Sequence, residues 1–252
     1  VCGTDRNDLL VHGEQPVAPE AEEKYLNWIR QRAEHIPLQQ LTGEQDFMGL
    51  TFSVNEHVLI PRQDTEILVE EVLKELHDGM RVLDMCTGSG CILLSLLHYS
   101  NDCEGLGVDL SAEALEVAGR NVLKVLTPEK AEHAHFLQSD LFEKVEGKFE
   151  IIVSNPPYIA SAEVEKLMPE VRDHEPRMAL DGTEDGLHFY RRIIEEAGKH
   201  LVSSGMLFLE IGYDQGQAVS ELMRTEGYCE VQVVQDYAGL DRVVLGTYCE
   251  RN

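Results

Sequence analysis

Arg81-Val82-Leu83-Asp84-Met85-Cys86-Thr87-Gly88-Ser89-Gly90, read on to Gly105-Leu106-Gly107-Val108-Asp109, decides the fold. The first four residues are short and apolar enough for a buried strand, and a glycine-bearing turn follows them. Residues 89–99 are apolar enough to be a helix packed on a sheet. Residues 105–109 read as a second strand. Ser111 then caps a helix over 112–126, which Thr127-Pro128 ends. Parallel strands need a crossover connection, usually a helix, so a repeated strand–helix unit predicts a mostly parallel sheet.

The alternation continues outward from this unit. Residues 134–138, 150–154 and 206–211 read as strands, and residues 186–202 and 215–225 as helices. Residues 231–235 and 242–248 follow each other around Tyr237-Ala238-Gly239 with no helix between them, which predicts an antiparallel hairpin. The expected fold is α/β: a seven-stranded, mostly parallel, doubly wound sheet with an antiparallel C-terminal hairpin. Upstream, residues 1–43 read as helix, linker, helix, with Pro16 and Pro19 in the linker and a second helix over 22–35 that Pro37 ends. Phe47, Leu50, Phe52 and Val54, with Val58 and Ile60 later, predict two short strands turning at Met48-Gly49. Asp64 or Thr65 is placed to cap a helix running to about His77. The chain thus divides into an N-terminal helical segment over 1–43, a β-hairpin linker over 44–64 and a main domain over 65–252.

Composition narrows the function. In 252 residues, 21 Lys and Arg face 46 Asp and Glu, a net charge of −25. That argues against a broad phosphate-gripping surface, so against direct nucleic-acid binding, and against docking on anionic lipid. No run of about 18 apolar residues exists, so no membrane span is expected. The first residues carry no apolar signal core, and the chain begins without Met, which fits a trimmed product with a truncated N-terminal segment. Cys2, Cys86, Cys91, Cys103, Cys229 and Cys249 form no C-x-x-C pair, and a reducing cytoplasm is the simplest compartment. His133 and His135 lie close in sequence but have no ligand spacing around them, so no metal is expected.

In parallel sheets of this kind ligands gather at the carboxyl ends of the strands, where strand order reverses. The first such end carries Asp84, Cys86, Thr87, Gly88, Ser89 and Gly90. It lacks Gly-Lys-Ser/Thr and the full dinucleotide fingerprint, so it is either a tight turn or a backbone surface that a ligand approaches closely. Asp109 ends the second strand about twenty residues after Gly88, a spacing that suits an acid accepting both ribose hydroxyls. Leu110 follows it. After the third strand, Asp140 either accepts from an adenine amino group or is a loop acid, with Leu141 beside it. The fourth strand ends in Ser154-Asn155-Pro156-Pro157-Tyr158. Two prolines fix two φ angles and remove two donors, and Asn155 is held extended by the proline after it. The result is a stiff, acceptor-rich corner beside an aromatic face, suited to a planar group bearing NH2.

These residues resemble the class I S-adenosylmethionine-dependent methyltransferases, and Asn155-Pro156-Pro157-Tyr158 is similar to the motif of those that methylate planar nitrogens. Leu41-Thr42-Gly43-Glu44, Phe47-Met48-Gly49-Leu50 and Leu59-Ile60-Pro61-Arg62-Gln63-Asp64-Thr65-Glu66 resemble the lead-in of the HemK/PrmC family. Glu175-Pro176-Arg177, Leu180-Asp181-Gly182, Asp185-Gly186-Leu187, Glu210-Ile211-Gly212 and Gly239-Leu240-Asp241-Arg242 match its later blocks, in order. The resemblance implies a cytoplasmic enzyme. It transfers methyl from S-adenosylmethionine, leaving S-adenosylhomocysteine, to the glutamine amide of the Gly-Gly-Gln tip of class 1 peptide chain release factors. It implies Asn155, Pro156 and Tyr158 as catalytic residues, with Pro157 also touching substrate. The donor would fall to the strand-end residues above, from Asp84 to Gly90, Asp109 with Leu110, Asp140 with Leu141, and Asn155. Arg62 reads better as an ion-pair partner than as a catalyst.

Five positions depart from the family pattern. Cys86 stands where the loop usually has its first Gly, Gln63-Asp64 replaces Pro-Glu, Thr183 replaces a Gly, and Leu141 stands where some members place an aromatic residue. Two rival readings share much of this: an adenine-amino nucleic-acid methyltransferase, against which the charge of −25 stands, and a non-catalytic scaffold of the same fold, against which the intact Asn155–Tyr158 motif stands.

Overall fold

The βαβ repeat read from residue 80 onward is present in the computed structural model, which describes residues 3–4 and 6–249. Three helices come first: α1 (Arg6–Val11), α2 (Pro19–Ala33) and α3 (Leu38–Thr42). The sequence reading has no α3. Pro37 ends no helix; it precedes α3, where its missing N–H costs nothing and its fixed φ of −54° suits the start. Strands β1 (Glu44–Phe47) and β2 (Leu50–Ser53) form the expected hairpin. Met48 and Gly49 both take positive φ, 51° and 71°, the pairing a two-residue turn of primed type requires. The Tyr99 hydroxyl on the Met48 carbonyl and the Glu66 carboxylate on the Met48 amide hold the non-glycine residue there.

A 3-10 turn (Gln63–Thr65) leads into α4 (Glu66–Glu75). Neither Asp64 nor Thr65 caps that helix with its side chain, contrary to expectation. Both side chains are used elsewhere, Asp64 on Arg242 and Thr65 on Asn155. The sheet then builds through β3 (Arg81–Met85), α5 (Cys91–Tyr99), β4 (Glu104–Asp109), α6 (Ala112–Val125), the one-turn α7 (Pro128–Ala131), β5 (Ala134–Gln138) and β6 (Phe149–Ser154). Ser111 caps α6 as its position predicts, accepting from the Ala114 amide at 3.0 Å. Residues 155–187 carry three single-turn helices, α8 (Ser161–Val164), α9 (Pro169–Arg172) and α10 (Arg177–Leu180). After them come α11 (His188–His200), β7 (Leu201–Glu210), α12 (Gly216–Thr225), β8 (Tyr228–Gln235) and β9 (Asp241–Tyr248). β7 begins five residues earlier than the apolar pattern shows, because Leu201 pairs with Phe149 before a register shift resets the ladder at Ile151 and Met206.

The seven strands lie in the order β5-β4-β3-β6-β7-β9-β8. All neighbours are parallel as far as β7, and β9 pairs antiparallel with both β7 and β8. From β3 the chain moves outward to β4 and β5, then returns to lay β6 on the other side of β3. Strand order therefore reverses between β3 and β6, so no helix connection covers that crevice. Two apolar layers cover the sheet. One gathers α4 and α5 with Phe47 and Phe52; the other gathers α11 and α12 around Tyr190, Ile193 and Val219. Phe47 and Phe52 meet edge to face at 6.1 Å with 1% and 0% exposure, each burial worth about 1.5–3 kcal/mol, and they fix the hairpin to the domain. Buried Asn121 on α6 adds a polar tie, bonding both backbone groups of Ser53 and the Ser89 carbonyl.

The N-terminal helices reach the sheet domain through the segment after β6. Arg32 on α2 pairs with Glu170 on α9 at 2.7 Å, Gln40 donates to the His174 carbonyl, and a His174 ring nitrogen lies 3.1 Å from the Glu34 carbonyl. Cys229 and Cys249 form a disulfide at the open end of the β8–β9 pair, while Cys86, Cys91 and Cys103 are free; Cys2 lies outside the described residues. No helix among the described residues is long and apolar enough to cross a membrane.

Candidate active site

A cavity of about 510 Å³ opens over the carboxyl ends of β3, β4, β5 and β6, at the point where strand order reverses. Its floor is the turn after β3. The Thr87 amide donates to the Val108 carbonyl on β4, and the Thr87 hydroxyl donates to the Asp84 carboxylate at 2.6 Å. Gly88 takes a φ of +54° and faces the cavity, where a Cβ would meet no atom within 4 Å. Asp109 borders this floor, half-buried. One of its oxygens accepts from the Gly88 amide and the other from the Ser111 amide, each at 2.9 Å. Each oxygen keeps a second lone pair for a ligand hydroxyl. Burial pushes the Asp109 carboxyl above the ordinary range, and those two amides work against the rise.

The residues read from sequence as donor-binding separate into two groups. Cys86, Thr87, Gly88 and Ser89 line the cavity, as do Asp109 and Leu110, Asp140 and Leu141, and Asn155. Asp84 and Gly90 do not. Asp84 is wholly buried behind the turn, accepting from Thr87 and from the Leu93 amide, and burial pushes its carboxyl up to about 7. Gly90 turns the chain at φ +78° against Ala118 and Leu94, where a Cβ would be crowded. Both shape the loop from behind. Asp140 pairs with Arg192 on α11 at 2.9 Å, an attachment that sequence spacing alone does not reveal.

The loop after β6 lies across the crevice from the Cys86 turn. Ser154 bonds the Met85 carbonyl at 2.6 Å, which locks the two strand ends together. Asn155 and Pro157 line the cavity, whereas Pro156 and Tyr158 do not. Asn155 donates its side-chain NH2 to the Thr65 hydroxyl at 3.3 Å, so its oxygen remains for a ligand. The Tyr158 hydroxyl lies 3.4 Å from the Glu210 carboxylate, and its carbonyl accepts from Gln215, so the tyrosine is fixed at both ends. Gly182 presses on it from below; a Cβ there would come within 2.8 Å of Tyr158 backbone. That approach explains the Leu180-Asp181-Gly182 block, and the backbone bonds Ile159 to Leu180 and Gly182 to Ile159 hold it.

Two segments roof the cavity. One is the lead-in to α4, including Val58, Pro61 and Arg62; the other spans Pro176 to Thr183. Arg62 and Glu175 join them in an ion pair whose carboxylate is 1% exposed and also accepts from the Ile60 amide. Arg62 is thus the structural partner its chemistry suggested. Sequence reasoning quoted Thr65 and Glu210 within their family blocks but gave Thr65 no role beyond a cap and Glu210 none, and it did not single out Phe189, which lines the cavity with Thr65. A buried Glu at the end of an apolar strand was the one available signal.

Residues 62–171 match the Methyltransferase small domain family and residues 1–43 match the PrmC N-terminal domain. A release factor glutamine methyltransferase of Moorella thermoacetica is 45% identical over 248 residues, spanning 97% of this chain and 86% of that protein. One from Clostridium acetobutylicum is 42% identical over 249 residues, spanning 97% and 87%. This chain belongs to the release factor glutamine methyltransferase family. The fold has solved counterparts beyond that family. A methyltransferase from Pyrococcus furiosus superposes with a TM-score of 0.59 at 18% identity, over 88% of this chain and 99% of that one. Membership of the release factor glutamine methyltransferases also explains why the sequence blocks after Asn155 matter. They supply the clamp on Tyr158, the roof, and the acid beneath the loop.

Proposed function

We propose that this chain transfers a methyl group from S-adenosylmethionine to the side-chain amide nitrogen of the Gly-Gly-Gln glutamine of class 1 release factors. The observation that carries the reading is the Asn155 carboxamide, held by Thr65 at the rim of a strand-end cavity with its acceptor free. The chain's residues suit the donor. Gly88 leaves open space where a side chain would intrude, Asp109 offers lone pairs suited to a ribose, and Asp140 stands where an adenine amino group would find an acceptor.

When bound, S-adenosylmethionine supplies a methyl group already activated on a sulfonium sulfur. An amide nitrogen is a poor nucleophile, because its lone pair is delocalised into the carbonyl. The protein's task is alignment, which can supply on the order of 7–11 kcal/mol. The Asn155 side-chain oxygen and the Pro156 carbonyl accept the two amide hydrogens. This aims the remaining lobe of the nitrogen into the cavity and stabilises the positive charge that develops on it. Pro157 keeps the loop stiff and Tyr158 packs beside the incoming side chain. No general base belongs to the motif, and the proton leaves nitrogen after the bond has formed. Residues 1–43 recognise the protein substrate, residues 44–64 join the two parts, and residues 65–252 perform the transfer. A release-factor substrate places the reaction in the cytoplasm.

The test is mass spectrometry of a release factor's Gly-Gly-Gln peptide after incubation with chain and donor. One added methyl on the glutamine is expected. Asn155→Ala should lower turnover far more than it weakens donor binding, the two being measured separately by steady-state kinetics and calorimetry. An unmodified peptide, or methyl found on RNA adenine instead, would overturn the reading.

A further inference from the structure

We infer that Arg192 and Phe189, on one side of α11, determine how the donor site reads its base. Arg192 holds Asp140 as a fixed acceptor for the adenine amino group, and Phe189 supplies an aromatic face for the ring. The inference rests on the S-adenosylmethionine reading above and deepens it with two residues that lie outside the strand-end loops.

Asp140 alone would be a poor reader. It sits in the loop after β5 with its side chain 39% exposed, so water competes for its oxygens. The loop's own bonds fix its backbone and leave that carboxylate untouched. The Ser139 amide donates to the Asp109 carbonyl at 3.0 Å, the Lys144 amide to the Ser139 hydroxyl at 3.0 Å, and the Glu143 amide to the Asp140 carbonyl at 3.2 Å. Among the described residues, Arg192 is the cation that meets the carboxylate, its Nη1 lying 2.9 Å from Oδ1. A carboxylate has about four lone-pair sites, so capacity remains for a ligand N–H.

The helix is built to make this contact. Along α11, Tyr190, Ile193, Ile194 and Ala197 are buried, whereas His188, Arg191, Glu195 and Lys199 are exposed. Phe189, Arg192 and His200 are half-buried and follow the margin between those two faces at helical spacing. All three meet the same loop. Phe189 lines the cavity with Asp140 and Leu141, Arg192 pairs with Asp140, and the His200 ring stacks on Phe142 at 4.9 Å. The wholly buried Tyr190 fixes the helix's rotation, its hydroxyl donating to the Glu210 carbonyl at 2.8 Å. Leu141 is aliphatic, and among the described residues lining the cavity Phe189 carries the one phenyl ring.

The two residues control different quantities. Adenine presents an NH2 donor where hypoxanthine presents a carbonyl acceptor. A held carboxylate accepts from the first and meets the second lone pair to lone pair. A carboxylate free to swing escapes that clash by turning to water, so its rigidity sets the discrimination. Stacking tolerates either base, because each has a π face, so the phenyl ring sets affinity without choosing.

Calorimetry of the full chain with S-adenosylhomocysteine and with its deaminated counterpart, S-inosylhomocysteine, tests both roles without any protein substrate. The wild type should bind the adenine ligand about ten- to a hundredfold more tightly. Arg192→Gln should lower that ratio about three- to tenfold, with the ligand-free melting temperature near wild type. Asp140→Ala should remove most of the preference, and adding Arg192→Gln to it should change the ratio no further, because Arg192 acts through Asp140. Phe189→Leu should weaken both ligands alike, about three- to tenfold, and leave the ratio intact. Phe189→Tyr keeps the ring and should keep both affinities. A wild-type ratio in Arg192→Gln, or a further drop when it is added to Asp140→Ala, would overturn the role of Arg192. Unchanged affinities in Phe189→Leu, or equal losses in the Leu and Tyr variants, would overturn that of Phe189. A wild-type chain that binds neither ligand overturns the donor reading and this inference together, whereas one that binds both equally well overturns the inference alone.

Discussion

Cys86 occupies the left-handed region at φ +63°, and Thr183 does so at +70°. Both stand where the resemblance leads one to expect glycine, and the structure gives the reason: the backbone at each position needs positive φ, which a Cβ opposes by about 1–2 kcal/mol. Sequence revealed the two departures but not their conformation, since nothing local to Cys86 fixes its dihedrals. The β3–β4 register and the Thr87 amide on Val108 do that from a distance. Comparing Cys86→Gly with Cys86→Ala isolates the backbone contribution, because both remove the thiol. The glycine variant should be the more stable by about 1 kcal/mol in urea unfolding. Equal midpoints would mean that the turn carries no strain there. The same lesson holds at Asn155. Its type and its proline neighbours were legible, while its partner Thr65, 90 positions away in sequence, was not.

At the level of elements, the strands were read well because each is a short apolar run bounded by Gly, Pro or polar residues. What escaped was set by long-range pairing: the early start of β7 at Leu201, the short α3 after Pro37, and the cap expected at Asp64 or Thr65. The roof is the clearest case, since it is made from two segments with little regular structure. Its joint is the Arg62–Glu175 pair, with Arg62 40% and Glu175 1% exposed. Arg62→Ala strands a buried carboxylate whose titration burial already pushes upward despite the arginine. The cost should be about 1–3 kcal/mol, below that of a fully buried pair because water screens the guanidinium. Donor affinity should weaken at the same time. A variant with unchanged urea midpoint and unchanged donor affinity would show that the roof holds without this joint.

For the whole molecule, charge and buried acids act in the same direction. Asp84 and Glu210 are each pushed up to about 7 by burial, against about 4 in an unfolded chain. Between those values the folded chain binds more protons than the unfolded one, so their contribution to stability is present at low pH and is lost as the pH rises through about 7. The net charge of −25 adds self-repulsion with the same sign. The melting temperature should be higher at about pH 6 than at about pH 8, and Glu210→Gln should narrow the difference. A melting temperature that climbs over that interval would contradict the account. The contacts from α2 and α3 to the segment after β6, Arg32 on Glu170 and Gln40 on the His174 carbonyl, reach further still. Whatever grips the N-terminal helices also loads the cover of the cavity. The residence time of a small molecule beneath it then becomes a joint property of both ends of the grip.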